Sequence, residues 1–202
     1  MTEVKICGIT RLADAQAAAE LGASFVGFVL WPDSPRAMTL DRVRKIVAAL
    51  PKTVTPVGVF VSPSRNEINE AAAAGIKVAQ IHGDATPGGI RSGIEVIRAV
   101  HLAVGARDEI EPYVDDHKIL LDAHDPERHG GTGRTIDWAR ARIVAQKRQL
   151  FLAGGLTPDN VKRAIAEVQP YAVDVSSGVE SKPGIKDHEL LRRFIAAAKE
   201  TV

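Results

Sequence analysis

The sequence predicts an α/β protein built as a single closed (β/α)8 barrel, and three observations predict it. Short apolar runs alternate with helix-like patterns from the first residues to the last, and such alternation implies a parallel sheet covered by helices. About eight of these units recur at a period of roughly 25 residues, which points to closure into a barrel rather than an open doubly wound sheet. The connections are short, and no linker or low-complexity stretch divides the chain, so residues 1–202 read as one domain.

Each unit has its own justification. Residues 4–9 read as the first strand, with Thr10 placed to cap a helix over 11–21 whose Leu12, Ala15 and Ala19 share a face and which Gly22 ends. Residues 25–30 form a continuous apolar run, as in a parallel strand buried on both faces. After the loop 31–36, Leu40, Val43, Ile46 and Leu50 repeat at helical period. Residues 57–61 make strand three, and Ser64 with Glu67 forms a capping box for a helix ending at Gly75. Strand four is 78–82, and the Gly- and Pro-bearing stretch 86–93 allows only a short or irregular helix. Strand five spans 94–102, and Pro112 limits the helix within 107–116. Strand six is 118–122, followed by a loop over 124–134 and a helix over 135–145. Strand seven runs from Leu150 into Gly154 and Gly155, and Thr157 with Pro158 can start a helix whose buried stripe is Val161, Ile165 and Val168. Strand eight runs from Ala172 into Ser176, Ser177 and Gly178. The last helix, 187–199, turns Leu190, Leu191, Phe194 and Ile195 inward.

Composition narrows the function. The chain is 45% hydrophobic and 25% charged with a net charge of +1, which offers no bulk attraction to nucleic acid or an acidic membrane. One cysteine leaves no internal disulfide or multi-cysteine zinc site. No apolar run reaches the roughly 18 to 20 residues of a membrane span, and the N-terminus lacks a signal-peptide pattern, so a cytoplasmic setting is expected. Gly130 to Gly133 lacks the third glycine of a dinucleotide fingerprint, and there is no Walker A loop. The expected partner is a small molecule, with no cofactor and no metal.

Barrel chemistry sits at the C-terminal strand ends. After strands seven and eight, where such barrels commonly hold a phosphate, stand Gly154, Gly155, Ser176, Ser177 and Gly178. Glycines there let main-chain N–H groups approach an anion, and consecutive N–H groups form an anion-binding concavity. The plainer alternative is two ordinary turns. The other strand ends offer Cys7, Arg36, Gln80, His82, Asp122 and Asp174. Cys7 reads equally as a buried small hydrophobe or as a reactive thiol, and Lys5, two residues back on the same alternating face, is placed to help it ionise. Asp122 closes the apolar run Ile119-Leu120-Leu121; such surroundings raise a carboxyl pKa, as a general acid requires, although an Asp capping its own loop is the alternative. Arg36, in Ser34-Pro35-Arg36, suits a planar carboxylate or is a solvated loop arginine. His82 binds substrate or satisfies a backbone group. His124, Asp125 and His129 lack a recognisable metal-ligand spacing. A thiol base opposite a carboxylic acid, with an anion grip at one end and an arginine at the other, suggests a cofactor-free isomerisation that moves a proton off carbon.

Several stretches carry a resemblance: Lys5-Ile-Cys-Gly-Ile-Thr10, Ser34-Pro-Arg36, Gln80-Ile-His-Gly83, Leu120-Leu-Asp122, Gly130-Gly-Thr-Gly133 with Ile136-Asp-Trp138, Ala153-Gly-Gly-Leu156 with Pro158 and Asn160, Val173-Asp-Val-Ser-Ser-Gly-Val-Glu180, and Gly184-Ile-Lys-Asp187. In their order and spacing the chain resembles the phosphoribosylanthranilate isomerase family of tryptophan biosynthesis, essentially from end to end. It departs mildly at Ile81, Ile136 and Pro183. The resemblance implies a TIM barrel and the Amadori rearrangement of N-(5-phosphoribosyl)anthranilate to 1-(2-carboxyphenylamino)-1-deoxyribulose 5-phosphate. It implies Asp122 as general acid on the ribose ring oxygen, Cys7 as general base at C2, and Arg36 on the anthranilate carboxylate. It further implies the phosphate on Gly154, Gly155, Ser176, Ser177 and Gly178, with Asp174 toward the ribose or the amine and Gly131 to Gly133 shaping the pocket; Gln80 and His82 join the substrate-binding residues. The ligand is then a phosphosugar, and the protein a monomer or weak homodimer. Other phosphosugar barrel enzymes fit less well. The related isomerase of histidine biosynthesis has a carboxylate where Cys7 stands and needs two phosphate grips, indole-glycerol-phosphate synthase needs further strand-end lysines, and a pentose-phosphate epimerase needs a His/Asp metal set. A non-catalytic phosphate binder or a redox sensor at Cys7 would belong to a different class altogether.

Overall fold

A computed structural model describes residues 1–83, 88, 90, 93–101, 118–122 and 138–200. The strands β1 (Glu3–Ile6), β2 (Phe25–Val29), β3 (Thr55–Val61), β4 (Val78–His82), β5 (Glu95–His101), β6 (Lys118–Asp122), β7 (Leu150–Leu152) and β8 (Ala172–Val175) pair in parallel in chain order, and β8 returns to β1 to close the barrel. The described helices are α1 (Leu12–Glu20), α2 (Leu40–Ala48), α3 (Arg65–Ala73), α4 (Trp138–Ala145), α5 (Val161–Val168) and α6 (His188–Lys199). The helices expected within 86–93 and 107–116, and the start of the one expected over 135–145, fall wholly or largely outside the described residues.

Side-chain alternation along the strands separates two layers. Register pairs Lys5 with Asp174 and with Phe25, Val57 with Val78, and Leu120 with Phe151, so these residues share the inward face. Phe25, Val57, Val78, Ile97, Ala99, Leu120, Phe151, Ala153 and Ala172 fill the barrel as one apolar cluster. Phe25 and Phe151 meet edge-on with ring centroids 5.3 Å apart. The alternate set, including Ile6, Phe28, Ile81, Ile119, Leu121 and Val173, packs under the helices. Above the apolar plug the inward residues turn polar, with Lys5, Gln80 and Asp174 all buried.

Local signals mostly held where a side chain acts on its own backbone. Ser64 and Glu67 cap each other at α3, and Asp187 caps α6 by accepting from the N–H groups of Glu189 and Leu190. Val161, Ile165 and Val168 line the buried face of α5. Other expectations need correction. β1 ends at Ile6 because Gly8 turns to a φ of 72°. Thr10 caps nothing; its hydroxyl donates to the carbonyl of Gly184, and Arg11 precedes α1 without a side-chain cap. The buried face of α1 is Asp14, Ala15 and Ala18, while Leu12 is exposed. Asp14 turns inward because its carboxylate accepts from the Lys186 N–H and from His188 Nε2. α5 starts at Val161, three residues after Pro158, because the Asn160 side chain accepts the Thr157 N–H and holds residues 158–160 in a turn. On α6 the buried positions are Leu191, Phe194, Ile195 and Ala198, with Leu190 only partly covered.

Candidate active site

Gly8 is where the site converges. A Cβ there would stand 2.6 Å from Arg36 Cδ and 2.8 Å from Ser176 Oγ, so the bare backbone and its left-handed turn let both side chains close in. Cys7 N–H donates to the carbonyl of Val175 at 2.8 Å, which carries the β1–β8 ladder one residue past β1. Cys7 therefore keeps the inward alternation of Lys5. A Cβ on Gly27 of β2 would lie 2.9 Å from Cys7 Sγ and 3.3 Å from Lys5 Nζ. Thiol and ammonium thus share one small space.

Lys5 is fully buried and pairs with Asp174, Nζ to Oδ1, at 3.0 Å. Burial alone would pull the ammonium down; the Asp174 carboxylate, with the thiol beside it, more than offsets this and holds Lys5 above the usual lysine range. For Cys7, burial is the largest influence and pushes the thiol up; Lys5 and Lys186 pull it down, Asp174 pushes it up, and the net result lies above the ordinary thiol value.

Arg36 follows β2 and turns one edge of its guanidinium onto Glu180. Nε donates to both carboxylate oxygens at 2.9 and 3.2 Å, and Nη2 donates to Oε2 at 2.6 Å. Glu180 opens a short hairpin, β9 (Glu180–Lys182) and β10 (Ile185–Lys186). Lys186 Nζ donates to Glu180 Oε1 at 2.8 Å and to the Ser176 carbonyl at 3.1 Å. Burial pushes Glu180 up, but its bonds to Arg36 and Lys186 outweigh that and hold the carboxylate below its usual range.

The turns after β7 and β8 touch. Gly154 and Gly155 adopt φ values of 86° and 64°, and a Cβ on Gly178 would stand 2.0 Å from the Leu156 carbonyl oxygen. Ser177 to Val179 form a short 3-10 turn. On β4, buried Gln80 donates through Nε2 to His82 Nε2 at 2.8 Å. Asp122 ends β6, half-buried and on the inward alternation of Leu120, three strands from Cys7 by way of β7 and β8. The predicted site residues on β1, β4, β6, β7 and β8 thus all come to the C-terminal mouth, together with Arg36. Gly131 to Gly133, His124, Asp125 and His129 lie outside the described residues.

Comparison with known proteins matches this arrangement to a family. Residues 4–197 match the family described as N-(5'phosphoribosyl)anthranilate (PRA) isomerase. The chain belongs to the phosphoribosylanthranilate isomerase family. An N-(5'-phosphoribosyl)anthranilate isomerase of Pelobacter propionicus is 45% identical over 206 aligned positions, covering 100% of this chain and 97% of that one. The crystal structure of phosphoribosyl anthranilate isomerase from Thermotoga maritima superposes with a TM-score of 0.89 at 41% identity, covering 99% of this chain and 100% of that one. A structure of phosphoribosyl anthranilate isomerase in complex with reduced 1-(o-carboxyphenylamino)-1-deoxyribulose 5-phosphate superposes at 0.85 with 38% identity, covering 99% and 100%. Against this family background, residue-level reasoning had found the mouth but missed Glu180 and Lys186, although both stand in the stretches that carry the resemblance. Their signal is faint: two ionisable residues on a two-strand hairpin look solvated until their partners are known.

Proposed function

We propose that this chain catalyses the Amadori rearrangement of N-(5-phosphoribosyl)anthranilate, with Cys7 as general base and Asp122 as general acid. The observation that carries the reading is the convergence of the sole thiol, Arg36 and Ser176 around Gly8 at the mouth that also holds the glycine turn after β7. Asp122 gives its proton to the ribose ring oxygen as the C1–O bond breaks and the nitrogen lone pair forms C1=N. The Cys7 thiolate then takes the proton from C2, and the C2–H electrons move toward C1 to leave a neutral enolamine. Its tautomerisation adds a proton at C1 and removes one from the C2 oxygen, giving the ketone.

Arg36 holds the anthranilate carboxylate. Glu180 occupies its Nε/Nη2 edge, and the end-on Nη1/Nη2 edge faces a second carboxylate in the same planar manner. Gly154, Gly155, Ser176, Ser177 and Gly178 take the phosphate through main-chain N–H groups and hydroxyls. Gln80, His82 and Asp174 contact the ribose and amine. Anchoring at both ends supplies orientation, up to about 7–11 kcal/mol in favourable cases, and acid–base assistance adds about 10² to 10⁴-fold. The proposal includes a cytoplasmic setting and a monomer or weak homodimer, the latter tested by sedimentation. Loss of phosphoribosylanthranilate fluorescence with the purified chain tests the activity. Turnover that inorganic phosphate inhibits competitively is expected; no turnover, or purely non-competitive inhibition, would count against it.

A further inference from the structure

Glu180 takes no part in the chemistry just described, yet its carboxylate is 4% exposed and bonded on both oxygens. It accepts from Arg36 Nε and Nη2, from Lys186 Nζ and from the Gly184 N–H. We propose that Glu180 is a positioning residue that sets the span between the two anion-holding ends of the site, and so selects a substrate with a carboxylate at one end and a phosphate at the other. This rests on the functional reading above.

Each arm has a physical basis. At one end, a long arginine side chain without an anchor samples many rotamers; the two-point grip on Glu180 leaves it one, with its outer edge aimed across the mouth. At the other end, Lys186 is buried and acts through the backbone. Its ammonium holds the Ser176 carbonyl at 3.1 Å. The peptide is planar and trans, so fixing that carbonyl fixes the Ser177 N–H in the opposite direction, away from Lys186. One carboxylate therefore governs both the guanidinium and a phosphate-facing amide. A glutamine in its place keeps one acceptor but turns an NH₂ group toward either Arg36 or Lys186, donor against donor.

The test compares steady-state kinetics on phosphoribosylanthranilate and on its des-carboxy analogue, N-(5-phosphoribosyl)aniline, with inorganic phosphate as competitor. Wild type, Glu180→Gln, Glu180→Asp, Lys186→Met and Arg36→Met are compared. In Glu180→Gln, the kcat/KM preference for the carboxylated substrate should fall tenfold or more, toward that of Arg36→Met, and the phosphate inhibition constant should change as well. Lys186→Met should change the phosphate constant alone, and Arg36→Met the preference alone. Glu180→Asp keeps the charge on a shorter stem and should show a smaller change in both, which preserves the test where the glutamine variant does not fold. A folded Glu180 variant with wild-type preference and phosphate inhibition would overturn the inference while leaving the functional reading intact. A wild-type chain that turns over neither substrate would overturn both.

Discussion

Cys7 enters neutral pH mainly as a thiol, because its burial outweighs the pull of Lys5 and Lys186. The reactive thiolate fraction therefore grows with pH, and the midpoint of its pH dependence should lie above the ordinary thiol value. Cys7→Ala should lower kcat by about 10² to 10⁴-fold while phosphate still competes for binding; unchanged kcat would remove the thiol from the chemistry. As the chain has one cysteine, its alkylation by iodoacetamide reports on this group alone. Lys5→Met removes the largest influence that lowers the thiol pKa, so the pH midpoint of alkylation should move upward. Breaking a buried pair of this kind costs about 3–5 kcal/mol, so the double variant Lys5→Met with Asp174→Asn, which leaves no lone buried charge, should show the same direction in a more stable protein. An unmoved midpoint would mean that Lys5 does not tune Cys7. At this scale the period-two spacing of Lys5 and Cys7 was readable directly, since alternation along a strand fixes their common face. Asp14 was not: a carboxylate on the buried side of α1 makes sense only once Lys186 and His188, at the far end of the chain, are beside it.

Among the elements, β2 makes room for the proposed base through a missing side chain. Gly27→Ala would drive a methyl group to within 2.9 Å of Cys7 Sγ. A displacement of the base by about 1 Å can cost on the order of 10²-fold, so kcat should fall while phosphate competition persists; unaltered kcat would show that the thiol needs no fixed seat. α3 supplies the contrast. Ser64→Ala breaks its capping box and should cost about 1 kcal/mol in urea unfolding with kcat unchanged. That box was legible in sequence because both partners lie within one helical turn. The cap of α1 and the start of α5 were misjudged for the converse reason. Thr10 is drawn off to Gly184 on the β9–β10 hairpin, and Asn160 rather than Thr157 organises the turn before Val161. Strand cores, set by apolar runs, were read well; strand ends depended on Gly8, whose turn serves Arg36 and Ser176 from other units.

For the whole molecule, closure between β1 and β8 is what makes a site of separate strand ends. It seats Cys7 against Val175, Lys5 against Asp174, and Gly8 against Ser176. The eightfold alternation made the barrel itself legible, whereas the Glu180 linkage, joining residues 144 positions apart, is a product of closure and has no local signature. Because the proposed phosphate grip joins the turns after β7 and β8, next to the closing seam, a bound anion should stabilise the whole barrel. Inorganic phosphate at about 100 times its dissociation constant should add about 2.7 kcal/mol, seen as a rise in Tm of several degrees; a Tm indifferent to phosphate would place the anion elsewhere. The most direct test of the central claim, an acid at β6 working across the mouth from a thiol base after β1, is single-turnover conversion of phosphoribosylanthranilate by wild type, Cys7→Ala and Asp122→Asn. Wild type should convert the bound substrate, and each variant should bind it but convert it at least a hundredfold more slowly. Either variant converting at the wild-type rate would contradict the account.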